Sequence, residues 1–287
     1  MNILLIANPI SGGNARPRIA QAAAWLKARG ATVDVCLTEK RGDARRLAGQ
    51  LQGDYQRVVV AGGDGTLNEV ANALCGSELP VAFLPMGTVN VFALETGVPL
   101  ALEPACRLAL EGRPRRISLG RVNGESFLLM VSAGWDAAAV ARLRPPVKRR
   151  IGRLAYAVSA METWLANVPT PIQITLADGS RHDGFGVVAS NARHYGGRYV
   201  VTPQAALDSP QLAVCLFKRS GRLAMLGYAL RLALHLPLRP PAVAFFSVDT
   251  MAITGVGVPV QVDGDAWGTL PVRVTSQPEA LSVVLPG

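Results

Sequence analysis

The first third of the chain alternates short apolar runs with longer segments in which apolar residues recur at helical spacing. The apolar runs predict β-strands at residues 3–7, 32–37, 57–61 and 81–84. The longer segments predict helices at residues 17–29, 43–51, 67–74 and 102–110. Because strands that are apolar throughout are buried on both faces, this alternation predicts a parallel sheet covered by helices on each side.

The pattern changes near the Gly-Arg-Pro sequence at residues 112–114. Beyond it, shorter strand-like runs are separated by turn residues, which predicts an antiparallel sheet or a β-sandwich with two helices inserted. The chain is therefore predicted to hold an α/β domain over residues 1–118 and a β-sandwich domain over 119–276. The segment 277–287 is a candidate to pack back on the first domain. The predicted strands are 117–122, 127–133, 172–176, 184–190, 212–217, 244–253 and 259–262, and the predicted helices are 152–166 and 222–234.

The strongest chemical signal is the Gly-Gly-Asp-Gly-Thr-Leu-Asn-Glu sequence at residues 62–69, directly after an apolar strand. Glycines let a phosphate approach backbone N–H groups closely, and a helix start adds partial positive charge. Asp64 would repel a bare phosphate, so we expect it to face a Mg²⁺ ion carried by the phosphates. Thr66 and Glu69 fit a capping box at the helix start. The alternative is a tight turn in which Asp64 bonds to its own backbone.

Two further turns follow apolar strands. Residues 8–13 read Asn-Pro-Ile-Ser-Gly-Gly, and residues 85–90 read Pro-Met-Gly-Thr-Val-Asn. Taken alone, the first of these turns is as consistent with a plain loop as with a binding site. Since ligands bind at the carboxyl ends of strands in open α/β sheets, we expect all three turns to converge on one crevice.

The chain has a formal net charge of +9 and a sequence pI of about 9.9, which favours anionic partners. Nucleic acid is disfavoured, because aromatic residues are only 6% and no nucleic-acid motif is present in the sequence. No apolar run is long enough to span a bilayer, and the nearest, at 223–238, is interrupted by Arg231 and His235. The four cysteines show no metal-binding spacing, and we expect a cytoplasmic protein.

The three turns together resemble the diacylglycerol kinase catalytic-domain family, which includes bacterial lipid kinases and the sphingosine and ceramide kinases. The similarity extends over essentially the whole chain, through Ser132-Ala133-Gly134-Trp135-Asp136-Ala137, Val262-Asp263-Gly264-Asp265 and the terminal strand. It implies an N-terminal nucleotide-binding domain like those of NAD kinases and phosphofructokinases, followed by a lipid-binding sandwich. It also implies an ATP- and Mg²⁺-dependent kinase that phosphorylates a lipid alcohol such as diacylglycerol, with its active site in the cleft between the domains.

The resemblance assigns roles to individual residues. Asp64 would act through Mg²⁺, and Asp136 would organise the metal or water network, although a structural turn acid is an equal alternative. Asp265 matches the family's general base, which is usually glutamate, and Asp263 is the fallback because it would lie on the same face of an extended strand. The residues implied to hold ATP are Asn8, Pro9, Ser11, Gly12, Thr38, Gly62, Gly63, Asp64, Gly65, Thr66, Asn68, Glu69, Gly87, Thr88 and Asn90.

One departure from the family pattern concerns a metal loop. Where the family carries Asp-Asp-Gly around a structural Mg²⁺, this chain has Asp208-Ser209-Pro210. A single carboxylate is a poor site for a hard cation, so we expect no structural Mg²⁺ or only a weak one.

The lipid substrate implies contact with a membrane. Two segments are candidates for contact with anionic phospholipids: the predicted helix 222–234 and a basic cluster just before the helix 152–166. We therefore expect a peripherally membrane-associated protein, and a homodimer is compatible with the sequence. Two other functions stay open, namely an NAD-kinase-like small-molecule kinase and a degenerate kinase that binds nucleotide or lipid without catalysis. The basic cluster consists of Arg142, Arg144, Lys148, Arg149, Arg150 and Arg153.

Overall fold

The computed structural model describes residues 1–142 and 170–287 of the chain. The predicted helix at 152–166 and all members of the basic cluster except Arg142 lie outside the described residues. The described chain divides into two compact units, one formed by Met1–Ser118 with Glu279–Gly287 and the other by Leu119–Pro278.

The first unit is an α/β fold in which strands and helices alternate. Its strands are β1 (Asn2–Ala7), β2 (Thr32–Leu37), β3 (Arg57–Gly62) and β4 (Val81–Pro85). Its helices are α1 (Arg16–Lys27), α2 (Asp43–Gly49), α3 (Asp64–Ala73), α4 (Val91–Thr96) and α5 (Leu102–Glu111).

The strands of this unit pair in parallel in the order β2-β1-β3-β4. The last residues of strand β18 (Val272–Leu285) add to this sheet, with Val283 paired in parallel to Val81. Residues on one face of the sheet, such as Leu5 and Val59, form a core with buried residues of α1 and α5. The parallel α/β domain predicted from the alternating apolar runs is therefore confirmed.

The second unit is built from antiparallel strands. One sheet has the order β14-β13-β10-β7-β16-β17, and β8, β9 and β15 pair with each other and with the first residues of β18. Strand β5 (Arg113–Val122) leads into the unit. The remaining elements are β6 (Glu125–Phe127), β7 (Met130–Gly134), α6 (Trp135–Ala141), β8 (Ile172–Leu176), β9 (Arg181–Gly184), β10 (Gly186–Ser190), β11 (His194–Tyr195), β12 (Tyr199–Val200), β13 (Leu212–Phe217), α7 (Arg222–Ala233), β14 (Val243–Val248), β15 (Thr250–Thr254), β16 (Pro259–Val262) and β17 (Asp265–Thr269).

One hydrophobic core joins the two sheets of this unit. Alternate residues of the strands point into it, including Val187 and Ala189 of β10 and Ile172 and Ile174 of β8. The C-terminal antiparallel β-sandwich is therefore confirmed.

Three long strand predictions in this unit were wrong in their extent. The predicted strand 127–133 is divided between β6 and β7, because the backbone N–H groups at 128–130 bond to a carboxylate side chain. The predicted strand 184–190 is interrupted at Phe185, whose N–H donates to the carbonyl oxygen of Phe217. The predicted strand 244–253 is interrupted at Asp249, where the chain passes from the sheet of β14 to that of β15.

Within the described residues, no helix is long and apolar enough to cross a membrane.

Candidate active site

The three predicted loops meet at the carboxyl end of the parallel sheet. They follow β1, β3 and β4, which are neighbours in the sheet. The Asn8 side-chain amide reaches the Thr66 hydroxyl at 3.4 Å and so links the first loop to the second. The third loop lies against both of the others at glycine positions. The chain therefore forms one cluster of loops where open α/β sheets bind ligands.

Two of the glycines are required by these close approaches. Gly12 has a φ of +59°, and a Cβ atom there would lie 2.6 Å from the carbonyl oxygen of Met86. A Cβ atom on Gly87 would lie 2.7 Å from the Asn90 side chain and 2.8 Å from the Cα of Gly63. No side chain larger than hydrogen fits such distances without moving backbone. The glycine pattern thus fixes how the loops pack against one another.

Helix α3 starts at Asp64, three residues earlier than the capping-box prediction places it, so that prediction was wrong. Its N-cap is Gly63, in an extended conformation, and Thr66 lies buried within the first turn. Glu69 does not reach back along its own helix. Its two carboxylate oxygens instead accept the backbone N–H groups of Gly42, at 2.9 Å, and Ala44, at 3.0 Å. Glu69 therefore caps the neighbouring helix α2.

Asp64 also caps another helix. Its carboxylate oxygens accept the backbone N–H groups of Val91, at 2.9 Å, and Phe92, at 3.0 Å, which begin α4. Burial raises the pKa of this carboxyl above its ordinary value, against the lowering effect of the two N–H groups. Asp64 therefore ties the glycine-rich turn to the loop after β4. A role for it beside Mg²⁺ stays a prediction, and each oxygen has a lone pair beyond the one used here.

The other residues predicted to hold ATP occupy the same loop cluster. Asn90 is left-handed, with a φ of 53°, and its side-chain amide bonds to both backbone groups of Gly87, each at 2.9 Å. Thr38 is buried at the end of β2, and its N–H donates to the carbonyl oxygen of Ala7. Asn68 accepts a hydrogen bond from Asn72. Pro9, Ser11 and Gly12 lie in the loop after β1, and Thr88 is exposed in the loop after β4.

The cluster suits an anionic group. The N-cap residue Gly63 has no side chain and therefore cannot cap the first N–H groups of α3. Gly65, in that first turn, is exposed, and a Cβ atom on it would meet nothing within 4 Å. The Arg18 guanidinium donates to the carbonyl oxygen of Pro85 at 3.4 Å, which brings positive charge to the same edge. Sequence reasoning missed Arg18, although the first turn of a helix after a binding loop often faces the ligand.

The expectation that Asp263 and Asp265 share one face of an extended strand was wrong. Asp263 and Gly264 both have positive φ, 47° and 85°, and form the two-residue turn between β16 and β17. Val262 and Asp265 pair across that turn, which is the geometry that an Asp-Gly sequence favours in a hairpin. Asp265 is therefore the first residue of β17, and it is exposed.

The Asp263 carboxylate is used by the backbone. It accepts the N–H groups of Leu128, Leu129 and Met130 at 2.7, 2.9 and 2.8 Å. These bonds fix the chain between β6 and β7 to the hairpin turn. With three donors on its two oxygens, Asp263 fits a structural role better than that of a base. Asp265 remains the candidate for the base.

Asp136 belongs to a hydrogen-bond chain that reaches the same turn. Its carboxylate accepts the Ser132 hydroxyl and, at 2.7 Å, the Tyr195 hydroxyl. Ser132 in turn accepts the Gln261 side-chain amide at 2.8 Å, and the carbonyl oxygen of that amide accepts the N–H of Gly264 at 2.7 Å. Burial raises the pKa of the Asp136 carboxyl, while the two hydroxyls lower it.

Sequence reasoning missed the three side chains that complete this network, namely Ser132, Tyr195 and Gln261. Ser132 and Gln261 are buried polar residues within apolar strands, which is the signal that could have found them. Nothing in the sequence around Tyr195 indicates its partner, which lies 59 positions away.

The stretch Asp208-Ser209-Pro210 is closed by Ser209. Its hydroxyl donates to the carbonyl oxygen of Gln211 at 2.8 Å and accepts the N–H of the same residue at 3.1 Å. Across residues 1–142 and 170–287, no three His, Cys, Asp or Glu side chains are grouped as a metal site would require. The weak or missing structural Mg²⁺ site at Asp208 stays a prediction.

Comparison with protein families finds two matches that together span most of the chain. Residues 2–122 match the diacylglycerol kinase catalytic domain. Residues 129–285 match the YegS C-terminal NAD kinase beta sandwich-like domain. The two matched regions correspond closely to the α/β and sandwich portions of the sequence.

Two curated relatives align with most of this chain. A probable lipid kinase YegS-like protein of Pseudomonas aeruginosa is 35% identical over 75% of this chain and 71% of its own length. Another of that name from Pseudomonas savastanoi pv. phaseolicola is 30% identical over 93% of this chain and 88% of its own length.

Solved structures share the fold. A diacylglycerol kinase from Bacillus anthracis has a TM-score of 0.76 at 20% identity, covering 99% of this chain and 97% of that one. An NAD kinase from Archaeoglobus fulgidus in complex with ATP has a TM-score of 0.55 at 14% identity, covering 99% and 93%. At these identities the likeness concerns the fold alone.

Proposed function

This chain belongs to the bacterial family of YegS-like lipid kinases with a diacylglycerol kinase catalytic domain, and we propose that it transfers the γ-phosphoryl group of ATP to the hydroxyl of a lipid alcohol such as diacylglycerol. The proposal rests on the family and on one observation above all. That observation is the meeting of three glycine-containing loops at the start of α3.

The loop cluster supports ATP as the phosphoryl donor. The first-turn N–H groups of α3 and the exposed Gly65 offer a positive, unobstructed surface to phosphate oxygens. Arg18 adds a cation at the edge of the cluster. The fold is shared with an NAD kinase whose structure contains ATP. These features suit the triphosphate of a nucleotide, and the relatives' name favours a lipid acceptor.

Mg²⁺ fits the cluster as a partner of the phosphates. Magnesium in such sites is typically held by one or two carboxylates together with phosphate oxygens and water. Asp64 is the acid that this loop cluster supplies, and it is held rigidly by Val91 and Phe92. The ion, when bound, would neutralise the charge that builds on the transferred group.

Asp265 is proposed as the group that accepts the proton of the lipid hydroxyl as the oxygen attacks. It is exposed, and it follows a turn that Asp263 and Gln261 hold in place. Its carboxylate is one methylene shorter than the glutamate usual in the family. A fixed turn compensates for a shorter side chain, because positioning supplies much of the rate in phosphoryl transfer.

The test is transfer of labelled phosphate from ATP to diacylglycerol, phosphatidylglycerol and a sphingoid base in mixed micelles with Mg²⁺, with NAD as a soluble acceptor. We expect labelled lipid. We expect Asp265→Asn to lower kcat by about 10²–10⁴-fold, as loss of a general base does. Asp265→Glu should keep kcat within about tenfold of the unmodified chain, since it restores the base at the family's usual length.

The matched control is Asp183→Asn, which changes another exposed acid of the second unit and should leave kcat unchanged. Labelled NAD with unlabelled lipid would replace the proposal by an NAD-kinase-like activity. ATP binding without any labelled acceptor would favour a non-catalytic binder. Full activity of Asp265→Asn would remove Asp265 from the role of base while leaving the kinase assignment in place.

A further inference from the structure

Helix α7 carries a row of exposed leucines. Leu223, Leu226, Leu230 and Leu234 are 84%, 50%, 55% and 59% exposed. They are spaced by three or four residues, so they lie along one face of the helix and its C-terminal end. Side chains of this size are rarely left in water as a continuous row, and such patches usually mark an interaction surface.

The opposite face of α7 is fastened to the sandwich. Met225 and Tyr228 are buried, and the Tyr228 ring packs edge-on against Phe217, with ring centroids 4.9 Å apart. The Tyr228 hydroxyl donates to the carbonyl oxygen of Ala242 at 2.7 Å and accepts the N–H of Arg219 at 3.2 Å. The leucines are therefore held outward by a helix whose other side is already packed.

The apolar row continues beyond the helix. Leu236 is 46% exposed, and Tyr199 and Val200 of β12 are 41% and 39% exposed. Tyr199 stacks on His235, with ring centroids 6.0 Å apart, which places β12 beside the end of α7. The leucine face and these residues together are called the α7 surface below.

The segment of sequence that carries α7 has charged side chains of one sign. Between residues 209 and 248 the sequence contains no Asp or Glu. The same stretch contains five Lys and Arg residues, of which all but Arg231 are exposed. They are Lys218, Arg219, Arg222, Arg231 and Arg239.

We propose that the α7 surface docks on a bilayer that contains anionic phospholipids, with the leucines entering the interface and the basic residues contacting lipid headgroups. Apolar residues on one face with arginines around them are the pattern of helices that lie in a membrane interface. The basic residues attract the negative headgroups, and the leucines lose exposure to water.

A second copy of this chain fits the surface less well. In a symmetric dimer through α7, both protomers would bring the same five basic residues towards one interface. No acid from residues 209–248 would stand between them. An anionic bilayer offers both the missing negative charge and an apolar phase, so it complements the surface on both counts.

This inference deepens the proposed function and rests on it, because a kinase that acts on membrane lipids must reach the bilayer that contains them. Binding itself is measured without catalysis, by sedimentation of the full chain with vesicles of phosphatidylcholine, with or without phosphatidylglycerol. We expect binding to the anionic vesicles that weakens as salt is raised. The double variant Leu223→Ser, Leu230→Ser should lower that affinity by about tenfold or more.

Matched controls separate the surface from general effects. Val256→Ser removes an apolar side chain of the same unit that is 90% exposed, and it should not change binding. Arg219→Gln with Arg239→Gln should weaken binding to anionic vesicles by about tenfold. Arg121→Gln, at an exposed arginine elsewhere in the unit, should change it much less.

Kinase assays on the same proteins separate this inference from the proposed function. We expect the leucine variant to phosphorylate a short-chain, water-soluble diacylglycerol normally and to lose activity on long-chain diacylglycerol in vesicles. If the unmodified chain labels no lipid, the proposed function fails, and sedimentation still decides the docking. Vesicle binding that is undetectable, or unchanged in the leucine variant, would overturn the inference. So would a dimer that the leucine variant converts to a monomer while vesicle binding stays the same.

Discussion

The Glu69 carboxylate accepts the backbone N–H of Gly42 at 2.9 Å, although 27 positions separate the two residues. Its second oxygen accepts the N–H of Ala44 at 3.0 Å. Glu69 belongs to α3, the helix of the glycine-rich turn, and Gly42 is the N-cap of α2. A negative charge at a helix start is stabilising, so this side chain joins two helices of the first unit.

Replacing Glu69 by alanine should therefore destabilise the first unit. Loss of a helix cap costs about 1–2 kcal/mol, and we expect the thermal unfolding midpoint to fall by a few degrees. The control is Glu78→Ala, because Glu78 is 90% exposed and its contact with Arg116 is a surface ion pair. That change should cost less than about 0.5 kcal/mol. Equal midpoints for the two variants would show that Glu69 does not hold α2.

Mutation of Asp263 should mainly lower stability, whereas mutation of Asp265 should mainly lower kinase activity. Asp263→Ala leaves three backbone N–H groups without their acceptor, and we expect it to lower the free energy of unfolding by about 2–5 kcal/mol. Asp265→Ala changes an exposed side chain and should cost less than about 0.5 kcal/mol while abolishing most kinase activity.

Urea unfolding of both variants, followed by circular dichroism, measures this difference. Asp263→Asn is the conservative partner, since its amide oxygen keeps part of the acceptor, and it should fall between the unmodified chain and Asp263→Ala. A stable Asp263→Ala protein without activity would instead place Asp263 in the chemistry.

Asp136 should make stability depend on pH in a defined direction. Its pKa is raised in the folded protein, chiefly by burial, so the folded state holds a proton more tightly than the unfolded chain. The free energy of unfolding should then fall as pH rises from the ordinary carboxyl range to the folded pKa, and level off above it. Asp136→Asn removes this fall, because the variant has no proton to lose.

Asparagine is a suitable replacement at this position. Both the Ser132 and Tyr195 hydroxyls donate to the same oxygen of Asp136, and an amide oxygen can accept both. The stability of Asp136→Asn relative to the unmodified chain should therefore rise with pH across the titration. Urea unfolding of both proteins at several pH values measures it. If the stability of Asp136→Asn relative to the unmodified chain fell with rising pH, the pKa of Asp136 would not be raised by burial.

The parallel sheet and the meeting of its loops follow from local sequence. Runs such as residues 58–61 are apolar at every position, as expected of a strand that is buried on both faces. The turn after each run then lies at the same sheet edge by geometry alone. The contact between Asn8 and Thr66 is an instance of what this rule predicts.

Two of the wrong predictions arise where a side chain bonds to backbone groups far along the chain. Thr66 and Glu69 match a capping box, yet Glu69 bonds to a helix 25 or more positions earlier. Residues 127–133 have a strand pattern, yet Asp263 takes their N–H groups from more than 130 positions away. Local propensity cannot contain such partners, because they exist only once the fold brings the segments together.

Gly65 offers a direct test of where phosphate binds. It lies in the first turn of α3, and a Cβ atom on it would meet no protein atom within 4 Å. Alanine is favoured over glycine within a helix, so Gly65→Ala should leave stability unchanged or raise it by about 0.5–1 kcal/mol. If ATP phosphates lie against this turn, the added methyl group blocks their approach. We then expect the dissociation constant for ATP to rise by about tenfold or more.

The measurement is ATP binding by calorimetry beside thermal unfolding of the same proteins. Gly49→Ala is the matched control. Gly49 is the last residue of α2 in the same unit, and a Cβ atom on it would also meet nothing within 4 Å. Gly49→Ala should leave the dissociation constant for ATP unchanged and should not lower the thermal unfolding midpoint. A Gly65→Ala protein that is stable and binds ATP as well as the unmodified chain would move the phosphates away from the start of α3, because no folding defect could then conceal the contact.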